Sequence, residues 1–196
     1  MDYFETFGCE RRLRLDVSAL QQRFYELSRR THPDFHQAAP AAEQARMLEG
    51  SALLNAAYRT LRDPVTRADY LVRLEEGRTT REGDSQKPKA PPALLQEMFE
   101  IQEALAEART GALDDATRST LATERDWLHT RFRDVETRLA GELAEAWDAA
   151  LPEARPRALA AIKDALATRA YLRTVLEDLG EVLGGDREAY VANRRD

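Results

Sequence analysis

Residues 16–34 read DVSALQQRFYELSRRTHPD, and this stretch decides how the first part of the chain folds. Its apolar residues recur at helical spacing, which predicts a helix with a buried stripe formed by Leu20, Phe24, Leu27 and Thr31. Asp16 is suited to cap the start of this helix. Pro33 ends it, because proline disfavours helical geometry in the residue before it. The opposite face is predicted to carry Arg23, Glu26 and Arg30, with Glu26 spaced to pair with Arg30.

Further helices are predicted on both sides of this stretch. Residues 2–8 read as a short helical turn closed by Gly8, a residue that tolerates a left-handed cap. A third helix is expected over about residues 41–61. Asp63 and Pro64 suit the N-cap and the first position of a fourth helix, which carries Tyr70, Leu71 and Leu74.

The composition changes abruptly after residue 75. Residues 76–92 contain almost nothing to bury and are predicted to be a solvated linker between a domain over 1–75 and a second over 93–196. The second domain reads as three helices, over about 93–109, 114–150 and 157–183. They close most simply as an antiparallel bundle, so the fold class is all-α. Its predicted core includes three aromatic residues, Trp127, Phe132 and Trp147.

Composition excludes several functional classes. The formal charge of −6 argues against nucleic acid as the main partner. No apolar run approaches the ~20 residues of a membrane span, and no secretory leader is visible. Cys9 is the single cysteine, which rules out an intramolecular disulfide and a zinc site built on a cysteine pair. We therefore expect a cytoplasmic protein that binds neither nucleic acid nor membrane.

The tripeptide His32-Pro33-Asp34 has more than one interpretation. Taken alone it is no more than a helix stop followed by an Asp turn. A metal pair of His32 and His36 is another interpretation, but no closing ligand is evident. Its setting favours a functional loop over a plain turn. An amphipathic helix with a basic outer face precedes the tripeptide, and another amphipathic helix follows it.

Residues 1–75 resemble the J domain, the DnaJ-type module. The matching features are the Leu20–Leu27 stripe, the His32-Pro33-Asp34 loop and three further segments: Tyr3-Phe4, residues 55–61 and Asp63-Pro64. The resemblance implies that the loop and the basic face of its helix, Arg23 and Arg30 included, dock on the ATPase domain of a DnaK/HscA-type chaperone and promote hydrolysis. Phe35-His36 departs from the family pattern, which often has a basic residue after Asp34. We expect that departure to alter affinity or partner choice.

Nearly the whole chain resembles one specialised J-domain family, the HscB-type co-chaperones of iron–sulfur cluster assembly. The chain has neither a Gly/Phe-rich spacer nor a Cys-x-x-Cys module, and residues 2–8, 51–58, 63–71 and 100–105 match that family. Gln102 stands where the family usually has arginine. The resemblance implies that the second domain holds an IscU-type iron–sulfur scaffold protein and delivers it to the chaperone.

The helix from residue 93 has a two-sided pattern. One face is predicted to form the bundle seam: Leu94, Met98, Ile101, Leu105 and Ala108. The far side combines apolar anchors with acidic surroundings, which is typical of a helical recognition surface: Leu95, Phe99, Glu100, Glu103 and Glu107. The resemblance adds Tyr171 of the last helix to this scaffold-binding face. In the alternative, Leu95 and Phe99 pack on the J domain and the glutamates are a solvated face.

No catalytic constellation stands out, so the chain is predicted not to be an enzyme and to bind no cofactor or metal of its own. Two other functions remain open. The chain could be a J-domain adaptor that delivers a different client to a general DnaK-type chaperone. It could also be a structural helical module whose loop has lost activity.

Overall fold

The computed structural model describes residues 2–31, 40–78, 94, 98–110 and 114–184. Within these ranges the secondary structure is helical, with no strand, which confirms the predicted all-α class. The helices are α1 (Tyr3–Phe7), α2 (Val17–Thr31), α3 (Ala41–Arg62), α4 (Pro64–Glu75), α5 (Phe99–Thr110), α6 (Asp115–Ala140), α7 (Glu142–Asp148) and α8 (Arg155–Leu183).

The helix boundaries follow the capping chemistry of the sequence. Asp2 and Glu5 form a reciprocal capping box at α1, and Gly8 closes the helix with φ 66°, a left-handed conformation that favours glycine. The Asp16 carboxylate accepts hydrogen bonds from the amides of Ser18 and Ala19 at the start of α2. Asp63 caps α4 by accepting from the amide of Thr66 at 2.8 Å. The predicted caps are therefore confirmed.

The chain divides into two compact units, Met1–Thr80 with Arg138–Ile162, and Arg81–Thr137 with Lys163–Asp196. The predicted division at residues 76–92 falls largely outside the described residues and stays a prediction. The first unit extends beyond the predicted J domain, because it includes α7 and the ends of the two longest helices.

In the first unit, α3 is the central helix. It packs against α1, α2 and α4. The buried side chains that meet there are Phe4, Leu20, Leu54, Ala57, Leu61 and Leu71. Phe24 of α2 stacks on Tyr58 of α3, with ring centroids 4.4 Å apart. The Tyr3 amide donates to the Tyr70 hydroxyl oxygen at 2.8 Å, which ties α1 to α4.

In the second unit, side-chain contacts fix the direction of its helices. Arg118, near the start of α6, donates to the carbonyl of Leu183 at the end of α8. Farther along α6, Glu136 pairs with Arg169 of α8 at 2.6 Å. The helices α6 and α8 therefore run antiparallel, as predicted. The buried residues of this unit include Leu121, Leu128, Phe132, Val135, Leu172 and Leu179.

Two predictions about the helix expected over residues 114–150 are wrong. The helix predicted over 114–150 is interrupted at Gly141, whose φ of −108° and ψ of −95° are not helical, so that α6 ends and α7 begins there. Trp127 is 44% exposed and lies beneath the guanidinium of Arg131 instead of entering the core. The helical period explains this, because Trp127 is about 100° from Leu128, which is in the seam. Phe132 is buried as predicted. Trp147 is also buried, but in the first unit and not in the bundle.

Candidate functional site

The outer face of α2 is mixed in charge. The Arg23 guanidinium donates to the Glu26 carboxylate at 3.0 Å, and both side chains are largely exposed. Arg30, the other predicted cation, is also exposed and has an interaction of its own. Surface ion pairs of this kind contribute little to stability. Their consequence is that the positive charge of Arg23 is partly compensated within the helix.

The predicted His32-Pro33-Asp34 loop, with Phe35 and His36 after it, lies outside the described residues. The structure does place the two helices on either side of it. α2 ends at Thr31, directly before the tripeptide, and α3 begins at Ala41 after Pro40. The helix that carries Arg23 and Arg30 therefore ends at the residue before this tripeptide.

Tyr25 is a feature of α2 that the sequence pattern left unnoticed. Its side chain is 56% exposed, whereas its neighbour Phe24 faces α3. The Gln21 amide nitrogen donates to the Tyr25 hydroxyl oxygen at 3.3 Å. The signal was present in the sequence, because a residue next to a core position of a helix is turned about 100° away from it.

The predicted two-sided character of α5 is confirmed where the structure describes it. Leu94, just before the helix, and Met98, Ile101 and Leu105 are buried. On the other side Phe99 is 65% exposed, and the glutamates at 100, 103 and 107 are exposed as well. Phe99 is thus not buried within its own unit, and its packing on the J domain stays an alternative prediction. Leu95, the second predicted anchor, lies outside the described residues.

Tyr171 of α8 is half-buried and hydrogen-bonded to the Gln102 side chain of α5. Burial raises the pKa of the Tyr171 phenol, and the hydrogen bond from Gln102 opposes that rise. This contact brings the predicted aromatic of the last helix beside the helix that carries Phe99. It also assigns a role to Gln102, the residue that departs from the family pattern: it links α5 to α8.

A polar cluster in the first unit was not predicted. The Asp148 carboxylate, at the end of α7, accepts from the backbone amides of Leu13 and Arg14, each at 2.8 Å. The neighbouring Trp147 is 3% exposed and its indole nitrogen donates to the carbonyl of Arg11. Residues separated by about 135 positions meet here, so no local pattern could indicate the contact.

Arg67 belongs to the same region and is 4% exposed. Its guanidinium donates to the Leu61 carbonyl, while its Nε has no hydrogen-bond partner. Burial lowers the pKa of Arg67, and the charges of Asp63 and Asp148 act in the opposite direction. Asp148 thus stabilises a buried cation in addition to its two amide hydrogen bonds.

Two further classes of site are absent from the part of the chain that the structure describes. No group of three or more His, Cys, Asp or Glu side chains there is arranged to hold a metal ion. None of the helices in the same ranges has an apolar stretch of the length that a membrane span needs.

A curated protein and two solved structures that are similar to the chain are all HscB proteins. No family model matches the chain. A mouse protein named iron-sulfur cluster co-chaperone protein HscB is 35% identical over 146 residues, which are 72% of this chain and 61% of that protein. The chain thus spans about three fifths of the length of this curated relative.

Two solved structures are similar over more of their length. The chaperone HscB from Vibrio cholerae is 26% identical, with a TM-score of 0.59, and the match covers 93% of this chain and 97% of that one. The human co-chaperone protein HscB is also 26% identical, with a TM-score of 0.58, over 92% of this chain and 81% of that one. With this sequence identity, this coverage and this all-helical architecture, the chain is similar to the HscB proteins along most of its length.

Proposed function

We propose that this protein is a co-chaperone of iron–sulfur cluster assembly. Through α2 and the His32-Pro33-Asp34 loop it stimulates the ATPase of a DnaK/HscA-type chaperone. Through α5 and α8 it holds an IscU-type scaffold protein and delivers it to that chaperone. The nucleotide and the cluster belong to the partners, so the protein has no catalytic role and no cofactor of its own.

The observation that carries this proposal is the exposed face of α5. A phenylalanine that is 65% exposed lies among Glu100, Glu103 and Glu107 on a helix whose other side is buried. A large aromatic left in water forgoes the roughly 1.5–3 kcal/mol that burial of such a side chain contributes. An apolar anchor with a charged rim is the usual composition of a binding hot spot. Similarity to the HscB co-chaperones supports an iron–sulfur scaffold as the occupant.

The glutamates define the partner surface. Three exposed carboxylates on one stripe favour a partner that presents basic residues around an apolar depression. Tyr171, held by Gln102, supplies a second aromatic group at the border of this stripe. The proposed scaffold face therefore consists of Phe99, the three glutamates and Tyr171, with Leu95 as a predicted member.

We infer that the two activities act in series on one molecule. A scaffold bound to one part of the chain is kept at high effective concentration near a chaperone bound to the other. The predicted segment 76–92 would join these parts as a linker. The domain limits 1–75 and 93–196 belong to this proposal, with the addition that residues 138–162 group with the first part.

The chaperone activity is tested by a steady-state ATPase assay. Wild-type protein is expected to stimulate an HscA-type chaperone, and His32→Gln is expected to stimulate it little or not at all. The matched control is Trp127→Ala, which removes an exposed aromatic residue of α6 outside both proposed surfaces. Equal stimulation by wild type and His32→Gln would contradict the role proposed for the loop.

Scaffold binding is tested by titration calorimetry with an IscU-type protein. Phe99→Ala is expected to weaken binding by about 1–2 kcal/mol or more, because a truncated anchor loses its pocket contacts. Trp127→Ala is expected to bind like wild type. If Phe99→Ala is folded and binds normally, the second candidate function is favoured, in which the same J domain serves a different client.

A further inference from the structure

Tyr25 is an exposed aromatic side chain that is nevertheless held in place. Its ring centroid lies 5.7 Å from that of Phe24, with the two planes tilted by 56°. Phe24 is fixed in turn by stacking on Tyr58. The Gln21 amide holds the hydroxyl end. One side of the Tyr25 ring is thus supported, and 56% of the residue remains open to solvent.

Arg29 lies one helical turn after Tyr25 on the same face of α2. Residues four apart on a helix are neighbours on its surface, so the phenol and the guanidinium can contact one partner together. Arg29 is exposed, and within the described residues its side chain forms no ion pair. Arg23 differs, because its guanidinium is already paired with Glu26. Arg29 is therefore better placed than Arg23 to offer an uncompensated charge.

We propose that Tyr25 and Arg29 form the principal anchor pair through which α2 binds the ATPase domain of its chaperone. This inference rests on the proposed function and refines its chaperone-binding face. The complementary surface is an apolar depression that takes the tyrosine ring, with at least one carboxylate at its edge for the guanidinium. Tyrosine and arginine are the side chains most enriched at such anchor points.

The position of the pair on α2 favours the chaperone over other occupants. The helix ends at Thr31, so the pair lies in the last two turns before the tripeptide in the sequence. A protein that engages the loop must also cover the adjacent turns of this helix. Because the ring is already held by Phe24 and Gln21, little side-chain entropy is lost when it is covered.

The anchor pair is expected to contribute to the affinity for the chaperone, and the loop to the stimulation of ATP hydrolysis. Variants of the two should therefore differ in the kinetic parameter that they change. Removal of an anchor weakens the complex without changing the complex once it has formed. Tyr25→Ala is therefore expected to raise the co-chaperone concentration that gives half-maximal ATPase stimulation by about tenfold or more. The stimulated rate at saturation should remain that of wild type. His32→Gln should instead lower the rate at saturation.

The experiment measures ATPase stimulation by an HscA-type chaperone across a range of co-chaperone concentrations, without scaffold protein. The variants are Tyr25→Ala, Tyr25→Phe, Arg29→Ala and Arg23→Ala, with Trp127→Ala as the exposed-aromatic control. Tyr25→Phe keeps the ring and should remain close to wild type. Arg29→Ala should weaken binding more than Arg23→Ala, and its effect should shrink as salt is raised, because salt screens charge. Circular dichroism verifies that each variant is helical.

The outcomes separate this inference from the proposed function. If wild type stimulates the chaperone and folded Tyr25→Ala has the same half-maximal concentration, the anchor role is overturned and the proposed function stands. If Arg23→Ala weakens binding more than Arg29→Ala, the assignment of the charged partner is overturned. If wild type gives no stimulation at any concentration, the proposed function fails, and the anchor pair fails with it.

Discussion

Replacement of Asp148 by alanine tests the polar cluster that joins α7 to the segment before α2. In the folded protein its carboxylate accepts from the amides of Leu13 and Arg14, both at 2.8 Å. Leu13 is 2% exposed, so water cannot readily take the place of the carboxylate at its amide. The Arg14 amide is in an exposed environment and can be hydrated after the change. The two hydrogen bonds therefore contribute unequally to the free energy of unfolding.

The magnitude follows from that difference. A hydrogen bond to a charged group contributes about 1.5–3 kcal/mol when its partner is left buried and unsatisfied, and less when water replaces it. The Leu13 amide should account for most of this and the Arg14 amide for about 0.5 kcal/mol. Arg67 also loses a compensating charge. The free energy of unfolding is expected to fall by about 2–4 kcal/mol, which lowers Tm by roughly 4–16 °C for a chain of this size.

The assay is urea unfolding followed by circular dichroism, with Asp134→Ala as the matched control. Asp134 is an exposed aspartate of α6, and its removal should change stability by less than about 0.5 kcal/mol. Asp148→Asn separates charge from shape, because an amide retains one acceptor but cannot compensate Arg67. We expect it to lie between wild type and Asp148→Ala. The reasoning is refuted if Asp148→Ala and Asp134→Ala are equally stable.

Three further changes have defined outcomes. Asp63→Ala removes the N-cap of α4 and should lower the free energy of unfolding by about 1 kcal/mol, measured by urea denaturation. Asp69→Ala, which removes a partly exposed carboxylate of the same helix and its surface ion pair with Arg73, serves as the control and should cost less. Leu61→Ala empties a fully buried position and should cost about 2–5 kcal/mol, readable as a lower Tm. Burial raises the pKa of Asp2, but the Glu5 amide and Arg11 outweigh it and hold that pKa below its ordinary value. The stability from Asp2 is therefore complete above about pH 4 and is lost as pH falls further, so Asp2→Asn should flatten the acid limb of a stability–pH curve.

Local chemistry made most of the fold predictable. Helical periodicity identified the α2 and α5 stripes, and the caps at Asp16, Asp63 and Gly8 are decided by residues within a few positions of each helix end. The same periodicity, applied to Trp127, would have placed it outside the seam. Its assignment to the core was wrong because aromatic character was given more weight than its phase on the helix.

The contacts that remained hidden join distant parts of the chain. The Asp148 hydrogen bonds and the Trp147–Arg11 contact depend on where the helices lie after folding, which no local pattern specifies. The interruption at Gly141 differs, because glycine is unfavourable inside a helix and the residue itself was a local signal for the break. On the candidate surfaces, the exposure of Phe99 was predicted from its phase, whereas the link between Gln102 and Tyr171 joins two helices and needed the structure.

The chain contains two tryptophans, and they differ in location and in surroundings. Trp147 lies in the first unit and is almost fully enclosed, while Trp127 lies in the second and is half open to water. Each indole is thus a native optical reporter of its own half. With one tryptophan replaced by phenylalanine, the fluorescence emission of the other would follow the unfolding of a single unit. The two melting curves would show whether the two units unfold together or in sequence.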